Sequence, residues 1–210
     1  MKEVPLKKEA LLEVAEVLFA EKGFEGTSVR DIALKANVNV AMISYYFGSK
    51  EKMLEALIEY RSVEGFKKLE ELNANQQLDP KSKIERVVDL YVDKILSNQP
   101  IHNIMSRQLS LLKDGNVRDK IIAFKMKNVE EIRKIILDGQ KKKVFRNIDV
   151  EMTISTLVGA ISQITMSKPF YCSLANIDFS DDASYTKKIK PRLKKHLKSI
   201  LLAHLDIKSK

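Results

Sequence analysis

Apolar residues recur every three or four positions along most of this chain, which is the spacing of helices that bury one face. Near the start of the chain these residues are Leu11, Val14, Ala15 and Leu18. Only 7 glycines and 5 prolines occur among the 210 residues, so little of the chain is expected to be irregular. The fold class is therefore predicted to be all-α.

Breaks in this pattern divide the chain into about nine helices. The predicted helices cover residues 6–22, the stretch between Ser28 and Asn37, and residues 40–47, 49–73, 80–98, 101–113, 116–140, 150–168 and 184–204. Asp79 is predicted to cap a helix that opens at a proline, and Pro100 and Pro169 should each stop one. Residues 170–183 are predicted to be a mixed loop. Pro191 either kinks the last helix or marks its true start.

Two short helices are joined by a tight turn near the start of the chain. Ser28, followed three residues later by Asp31, is a capping-box pattern. Asn37 tolerates the left-handed backbone that a sharp helix end needs, and Asn39 can cap the next helix over residues 40–47. Two helices joined by about three or four residues at a steep angle form a helix-turn-helix.

Two domains are expected on this basis. A three-helix helix-turn-helix domain is predicted over residues 1–50, with the helix of residues 6–22 packed behind the two short helices. A helical bundle is predicted over residues 51–210.

The net charge of +9 suggests a nucleic-acid partner, but the position of the charge weakens that suggestion. Residues 1–52 carry eight basic and eight acidic side chains, so the helix-turn-helix region is neutral. The basic excess lies in residues 141–143 and 187–198, where lysine runs are more typical of solvated helix faces. The turn pattern, rather than the charge, therefore carries the prediction of DNA binding.

Several classes of protein are excluded by what the sequence lacks. It contains no run of 18 apolar residues, so no membrane span is expected, and its start lacks the apolar stretch of a signal peptide. A single cysteine allows no intramolecular disulfide and no multi-cysteine zinc site, and it suits the reducing cytoplasm. No catalytic constellation or glycine-rich phosphate loop is present. We expect neither an enzyme nor a metal or other cofactor.

One stretch carries a resemblance to a known family. The orders G-F-E-G-T-S-V-R-D-I-A and Y-Y-F-G-S-K-E-K-M-L resemble the N-terminal DNA-binding domain of the TetR family of transcriptional regulators, over about residues 6–60. This chain departs from the family at two places. It has Asn37 where a glycine is usual, and Asn39 with Val40 where the helix usually opens with a Ser-Lys pair.

The resemblance implies that residues 39–47 form a recognition helix that enters the major groove. The residues expected to contact DNA are Ser28, Arg30, Asn39, Val40, Ala41, Met42, Ser44, Tyr45 and Lys50. Lys50 matches a family lysine that binds a backbone phosphate. Arg30 either reads a guanine or forms a surface ion pair.

The resemblance also implies that residues 51–210 form a ligand-binding and dimerisation domain, with a ligand pocket and a homodimer formed through the last two long helices. The pocket candidates are polar, aromatic or sulfur-containing residues within apolar stretches, namely Tyr91, His102, Arg107, Gln108, Gln163, Met166, Tyr171 and Cys172. They suit a small hydrophobic or anionic ligand. Arg107 either contacts such an anion or forms an interhelical ion pair.

These features predict a homodimeric transcriptional regulator, in particular a repressor released from a palindromic double-stranded DNA operator by a small-molecule ligand. The alternative is a helical protein–protein interaction module that uses the helix-turn-helix as a scaffold. The neutral N-terminal region gives that alternative some support.

Overall fold

The computed structural model describes residues 8–111, 115–177 and 182–206, and these form ten helices. The helices are α1 (Lys8–Lys22), α2 (Val29–Lys35), α3 (Val40–Phe47), α4 (Lys50–Ala74), α5 (Pro80–Ser97), α6 (Gln99–Leu111), α7 (Asn116–Lys141), α8 (Val150–Met166), α9 (Lys168–Ala175) and α10 (Asp182–Leu205). The all-α prediction is confirmed.

The helix that the sequence did not predict is α9. The prediction of a mixed loop over residues 170–183 is wrong as far as Ala175, while residues 178–181 lie outside the described part of the chain. Pro169 lies in the first turn of α9, where its missing N–H leaves no helical hydrogen bond unmade. Helix α8 ends at Met166 with Ser167 as its C-cap, so Pro169 lies within the next helix and follows the end of α8 by three residues.

Two other prolines also lie inside helices. Pro100 lies in the first turn of α6, which begins one residue earlier at Gln99, so only Asn98 separates α5 from α6. Pro191 lies inside α10, which begins at Asp182, so this proline does not mark the start of the last helix.

The helix cap predicted at Asp79 is present. The Asp79 carboxylate accepts a hydrogen bond from the backbone N–H of Ser82 at 2.9 Å, and Pro80 opens α5. Such caps satisfy backbone groups at helix ends that have no partner within the helix.

One compact unit consists of residues 1–63 and 100–125. In its described part, the core is built from α1 to α3, the first half of α4, α6 and the first part of α7. The largest fully buried side chains there are Leu11, Phe19, Ile32, Ile43, Met53, Leu54, Leu57 and Ile121. An ion pair lies beside this core, because Arg61 of α4 contacts the Glu16 carboxylate of α1 at 2.6 Å.

The second compact unit consists of residues 64–99 and 126–210. In its described part, α5 packs against α10 and α8 over a core that includes Val87, Val92, Ile132, Ile161 and Leu197. Helix α4 contributes residues to both units, and the domain boundary after residue 50 stays a prediction.

Ion pairs join α5 to α10 along the edge of this core. Asp93 contacts Lys190 and Lys194 at 2.9 and 2.7 Å, and Asp89 contacts Lys198 at 2.7 Å. Three of the late lysines are therefore paired within the unit, rather than contributing only to a solvated helix face.

Candidate nucleic-acid interface

The first helix of the helix-turn-helix begins with a complete capping box. The Ser28 hydroxyl oxygen accepts the backbone N–H of Asp31 at 3.1 Å, and the Asp31 carboxylate accepts the N–H of Ser28 at 2.8 Å. Hydrogen bonds from the side chain and backbone of Ser28 lower the pKa of Asp31. Ile32 and Ala33 then bury one face of α2, which fixes the helix against the core.

The turn between α2 and α3 has the predicted geometry. Asn37 has a φ of 53°, in the left-handed region, and the N–H of Val38 returns to the carbonyl oxygen of Ala33 at 3.0 Å. The Asn39 side-chain oxygen accepts the N–H of Ala41 at 2.9 Å. These contacts confirm the capping roles of both asparagines and set the start of α3.

Helix α3 has one buried face and one exposed face. Ile43 and Phe47 are 1% and 6% exposed, while Val40 is 38% and Tyr45 is 84% exposed. The remaining residues predicted to contact DNA divide between exposed Ser28, Arg30, Asn39, Ala41 and Ser44, and partly exposed Met42 and Lys50.

The turn between α1 and α2 is held by side chains from two directions. The Thr27 hydroxyl lies 2.8 Å from the carbonyl oxygen of Gly23 and 3.1 Å from that of Leu18. The Lys50 ammonium donates to the carbonyl oxygen of Phe24 at 2.9 Å and lies 4.3 Å from the centre of that ring. These contacts were not predicted from the sequence, although Gly23, Phe24, Thr27 and Lys50 all lie in the motifs that carry the family resemblance.

Of the other basic side chains near α2, some form ion pairs and one does not. Lys35 pairs with Glu21 at 3.5 Å, and Lys22 lies 3.9 Å from Asp31. Arg30 is exposed and forms no ion pair with a described residue, so the surface ion pair, one of the two alternatives for this residue, is not present in that part of the chain. Its guanidinium is available to a partner.

The predicted pocket residues belong to both compact units. In the first unit, Gln108 is 3% exposed and its side-chain oxygen has no hydrogen-bond partner among the described residues. Arg107 lies against the turn at Gly23. A β-carbon built on Gly23 would lie 3.4 Å from the Arg107 guanidinium. It forms no ion pair with a described residue, and His102 is half-buried.

In the second unit, Tyr91 is buried, and this burial raises the pKa of its hydroxyl. Met166 is 52% exposed, and exposed Gln163 donates to the Ser167 hydroxyl at 3.2 Å. Tyr171 is half-buried and Cys172 is buried.

Two described cavities of the second unit measure about 460 and 440 Å³. The first lies between α4 and α5 and is lined by Leu72, Leu78 and Arg86, among others. The second is lined by the segment before α8 together with α8 and α10, including Arg146 and His204. None of the predicted pocket residues lines either of these two cavities.

Within the described ranges, no helix is long and apolar enough to cross a membrane. The same residues contain no group of three or more histidine, cysteine, aspartate or glutamate side chains placed to hold a metal ion.

Comparison with known proteins agrees with this architecture. The family model for bacterial regulatory proteins of the tetR family matches residues 11–57, and the model for the tetracyclin repressor-like C-terminal domain matches residues 77–166. The probable HTH-type transcriptional regulator YttP of Bacillus subtilis (strain 168) is 36% identical over 141 residues, covering 66% of this chain and 67% of YttP. The chain belongs to the TetR family.

A second relative in sequence is the HTH-type transcriptional repressor NicS of Pseudomonas putida, which is 28% identical over 67% of this chain and 66% of NicS. The chain thus spans about two thirds of the length of either relative. This TetR-family protein is a DNA-binding transcriptional regulator and not an enzyme.

Solved structures share the fold across nearly the whole chain. PfmR from Thermus thermophilus has a TM-score of 0.69 and 23% identity, covering 99% of this chain and 100% of PfmR. FadR from Bacillus subtilis, solved in complex with stearoyl-CoA, has a TM-score of 0.73 and 18% identity, covering 94% of this chain and 99% of FadR.

Proposed function

We propose that this TetR-family regulator is a homodimeric repressor that leaves a palindromic operator when a small hydrophobic or anionic ligand binds. The main support for the homodimer is an exposed face of α8 that no described part of the protomer covers. There Gly159 is exposed, and a β-carbon built on it would meet nothing within 4 Å.

A glycine inside a helix costs about 0.5–1 kcal/mol relative to alanine. Nothing near Gly159 among the described residues requires the missing side chain, so the glycine brings the protomer no visible gain. Close approach of a second helix would explain it. Met152 and Met166, at the two ends of α8, are 63% and 52% exposed, and Ile200 of α10 is 43% exposed. These apolar side chains support a dimer through α8 and α10, the last two long helices.

A dimer of this kind presents two copies of the helix-turn-helix. Two recognition helices bind successive major grooves when they lie about 34–36 Å apart, and a two-fold protein then selects a palindromic site. The surface proposed to face DNA consists of Ser28, Arg30, Asn39, Val40, Ala41, Met42, Ser44 and Tyr45. The ammonium of Lys50 is engaged with Phe24, so we propose that Lys50 holds the α1–α2 turn and that any phosphate contact is secondary.

Release by a ligand requires that the ligand prefer the conformation that does not bind DNA, because equal affinity for both would shift nothing. Among the predicted pocket residues, we propose Gln108 of the first unit as the one that contacts the ligand, because a buried amide oxygen without a partner is costly and a ligand donor would satisfy it. We place the regulator in the cytoplasm, with its operator.

The test combines solution mass with selection of bound DNA. Sedimentation equilibrium at micromolar concentration should give twice the mass of the 24.0 kDa chain. Selection from a random duplex pool should enrich a palindrome with half-site centres about 10 base pairs apart, or a multiple of one helical turn. A monomer in solution, or a pool without an enriched palindrome, would refute this proposal.

A further inference from the structure

Helix α3 offers DNA a surface that is almost free of hydrogen-bonding side chains able to identify a base. Its exposed residues are Val40, Ala41, Ser44 and Tyr45, while Ile43 and Phe47 are turned into the core. Proteins distinguish bases in the major groove mainly through paired hydrogen bonds from arginine, lysine, asparagine or glutamine. Aspartate or glutamate can also accept a hydrogen bond from the amino group of cytosine. None of these residue types, nor an aspartate or glutamate, occurs in α3.

Asn39 precedes α3 and is the nearest residue that could make such a paired contact. An asparagine identifies adenine by donating through its amide nitrogen and accepting through its amide oxygen at the same time. In this protein the oxygen already accepts the N–H of Ala41 at 2.9 Å. This bond takes one of the two lone pairs of the oxygen and holds the amide against the start of α3. While Asn39 caps the helix, its amide therefore cannot turn to present both its oxygen and its nitrogen to an adenine.

Hydroxyl groups do not replace that contact. Ser44 and Tyr45 each offer one rotatable hydroxyl, and such a group can bond to different bases or to a phosphate. Arg30 is exposed on α2 and lies outside α3, so a guanine bound by its guanidinium would be selected by α2 and not by α3.

Thymine exposes an apolar 5-methyl group in the major groove. This methyl group is the remaining feature that α3 can recognise. Val40 and Ala41 expose methyl groups at the N-terminal end of α3, the end whose residues contact base edges in helix-turn-helix proteins. We propose that α3 selects its half-site chiefly through contacts of Val40 and Ala41 with thymine methyl groups. This inference rests on the DNA-facing surface proposed above.

The experiment uses the full chain and a palindrome enriched from the random pool. Each half-site thymine is replaced in turn by deoxyuridine, which removes the methyl group and keeps every hydrogen-bonding group. At one or more positions in each half-site the affinity should fall about fourfold, the effect of one buried methyl group. Replacing thymines outside the half-sites should leave the affinity unchanged.

Two variants assign the contact to α3. Val40→Ala removes methyl groups without harming helix propensity, so it should fold normally and lose at least half of the deoxyuridine effect at one position. Val17→Ala is the matched control, because Val17 is 42% exposed on α1, close to the 38% of Val40. It should keep the full effect.

The outcomes separate the two proposals. A palindrome that contains no half-site thymine, or whose affinity is unchanged by every deoxyuridine, overturns the inference and leaves the operator-binding proposal intact. A full deoxyuridine effect that Val40→Ala retains at every position excludes the contact of Val40 with thymine, and it overturns the inference as stated. A pool that enriches no palindrome overturns the proposed operator binding, and the inference falls with it.

Discussion

The ammonium of Lys50, at the first residue of α4, donates to the carbonyl oxygen of Phe24, 26 residues earlier, at 2.9 Å. It also lies 4.3 Å from the centre of the Phe24 ring, where a cation is attracted to the π face. Together with the Thr27 hydroxyl, this contact fixes the α1–α2 turn that leads into the helix-turn-helix. Lys50 therefore acts inside the protein, through the side chain that the family resemblance assigns to a phosphate.

Replacing Lys50 by alanine should lower operator affinity about tenfold by releasing that turn. The slope of log affinity against log salt concentration should stay unchanged, because no phosphate contact is removed. Loss of one phosphate contact would reduce the magnitude of this slope by about 0.9. Lys67→Ala on the exposed surface of α4 is the control and should change neither quantity. Fluorescence anisotropy between about 50 and 200 mM salt measures both, over the range in which such slopes are defined. A slope reduced by about one unit would return Lys50 to the phosphate-binding role.

Thr27→Val tests the other contact of the same turn. Thr27 is 1% exposed, and valine keeps its shape but leaves the carbonyl oxygens of Leu18 and Gly23 without the hydroxyl donor. The free energy of unfolding in urea should fall by about 1–2 kcal/mol. Ser110→Ala removes an exposed hydroxyl that bonds to Ser106 and should stay within about 0.5 kcal/mol of the wild type. Equal effects of both substitutions would argue against a structural role for Thr27.

The pair of Glu16 and Arg61 should contribute more than the surface pairs. The Glu16 side chain is 7% exposed, so Glu16→Gln leaves Arg61 with a weakened partner in a poorly solvated place. We expect a loss of about 1–3 kcal/mol in the free energy of unfolding. The matched variant Glu21→Gln breaks a pair with Lys35 whose side chains are 60% and 43% exposed, and it should cost less than about 0.5 kcal/mol. If the two variants lose the same stability, burial does not strengthen the inner pair.

Local signals explain why much of the helix-turn-helix could be predicted. The cap of Ser28 on Asp31 and the cap of Asn39 on Ala41 each act within three residues, so the residue types alone determine them. The Lys50 contact joins residues 26 positions apart, and it depends on how α4 starts beside the α1–α2 turn, which no local pattern encodes.

Helix α9 was missed for a different physical reason. A proline cannot continue one helix, but its fixed φ suits the first turn of another, so Pro169 alone does not say which follows. The residues that contact a ligand stay a prediction, because the sequence does not show whether a polar side chain such as Gln108 or Gln163 will be buried or exposed after folding.

The ion pairs between α5 and α10 should make the second unit sensitive to acid. Burial opposes ionisation of Asp93 and is the largest single influence, but the contacts of Lys194 and Lys190 outweigh it and lower the pKa of this carboxylate. A carboxylate whose pKa is lower in the folded state stabilises the fold above the unfolded value of about 3.8, and this stability is lost as the pH falls through the folded value.

Asp93→Asn should therefore destabilise the protein near neutral pH and lose that effect in acid. The expected cost at about pH 7 is at most about 1 kcal/mol, because the Asp93 side chain is 43% exposed and solvent screens the pairs. Urea unfolding at a series of pH values from about 7 down to about 2.5 should show the wild type and the variant converging below about pH 4. A difference that stays constant over this range would contradict the assignment to ionisation.

Gly159 gives a prediction in which folding and assembly change in opposite directions. A β-carbon at this position meets nothing within 4 Å in the described protomer, so Gly159→Ala should raise the helix stability of a monomer by about 0.5–1 kcal/mol. In a dimer packed through α8, the same methyl group would hold the second helix away and weaken association.

Sedimentation at falling concentration measures the dimer, and urea unfolding below the dissociation concentration measures the monomer. Gly139→Ala is the contrasting variant, because its β-carbon would overlap the Phe145 ring, so it should destabilise the fold itself. A Gly159→Ala protein that is more stable and dimerises as tightly as the wild type would remove α8 from the interface. Weaker dimerisation with a more stable monomer would mean that the glycine is retained for the partner, since alanine would suit the isolated helix better.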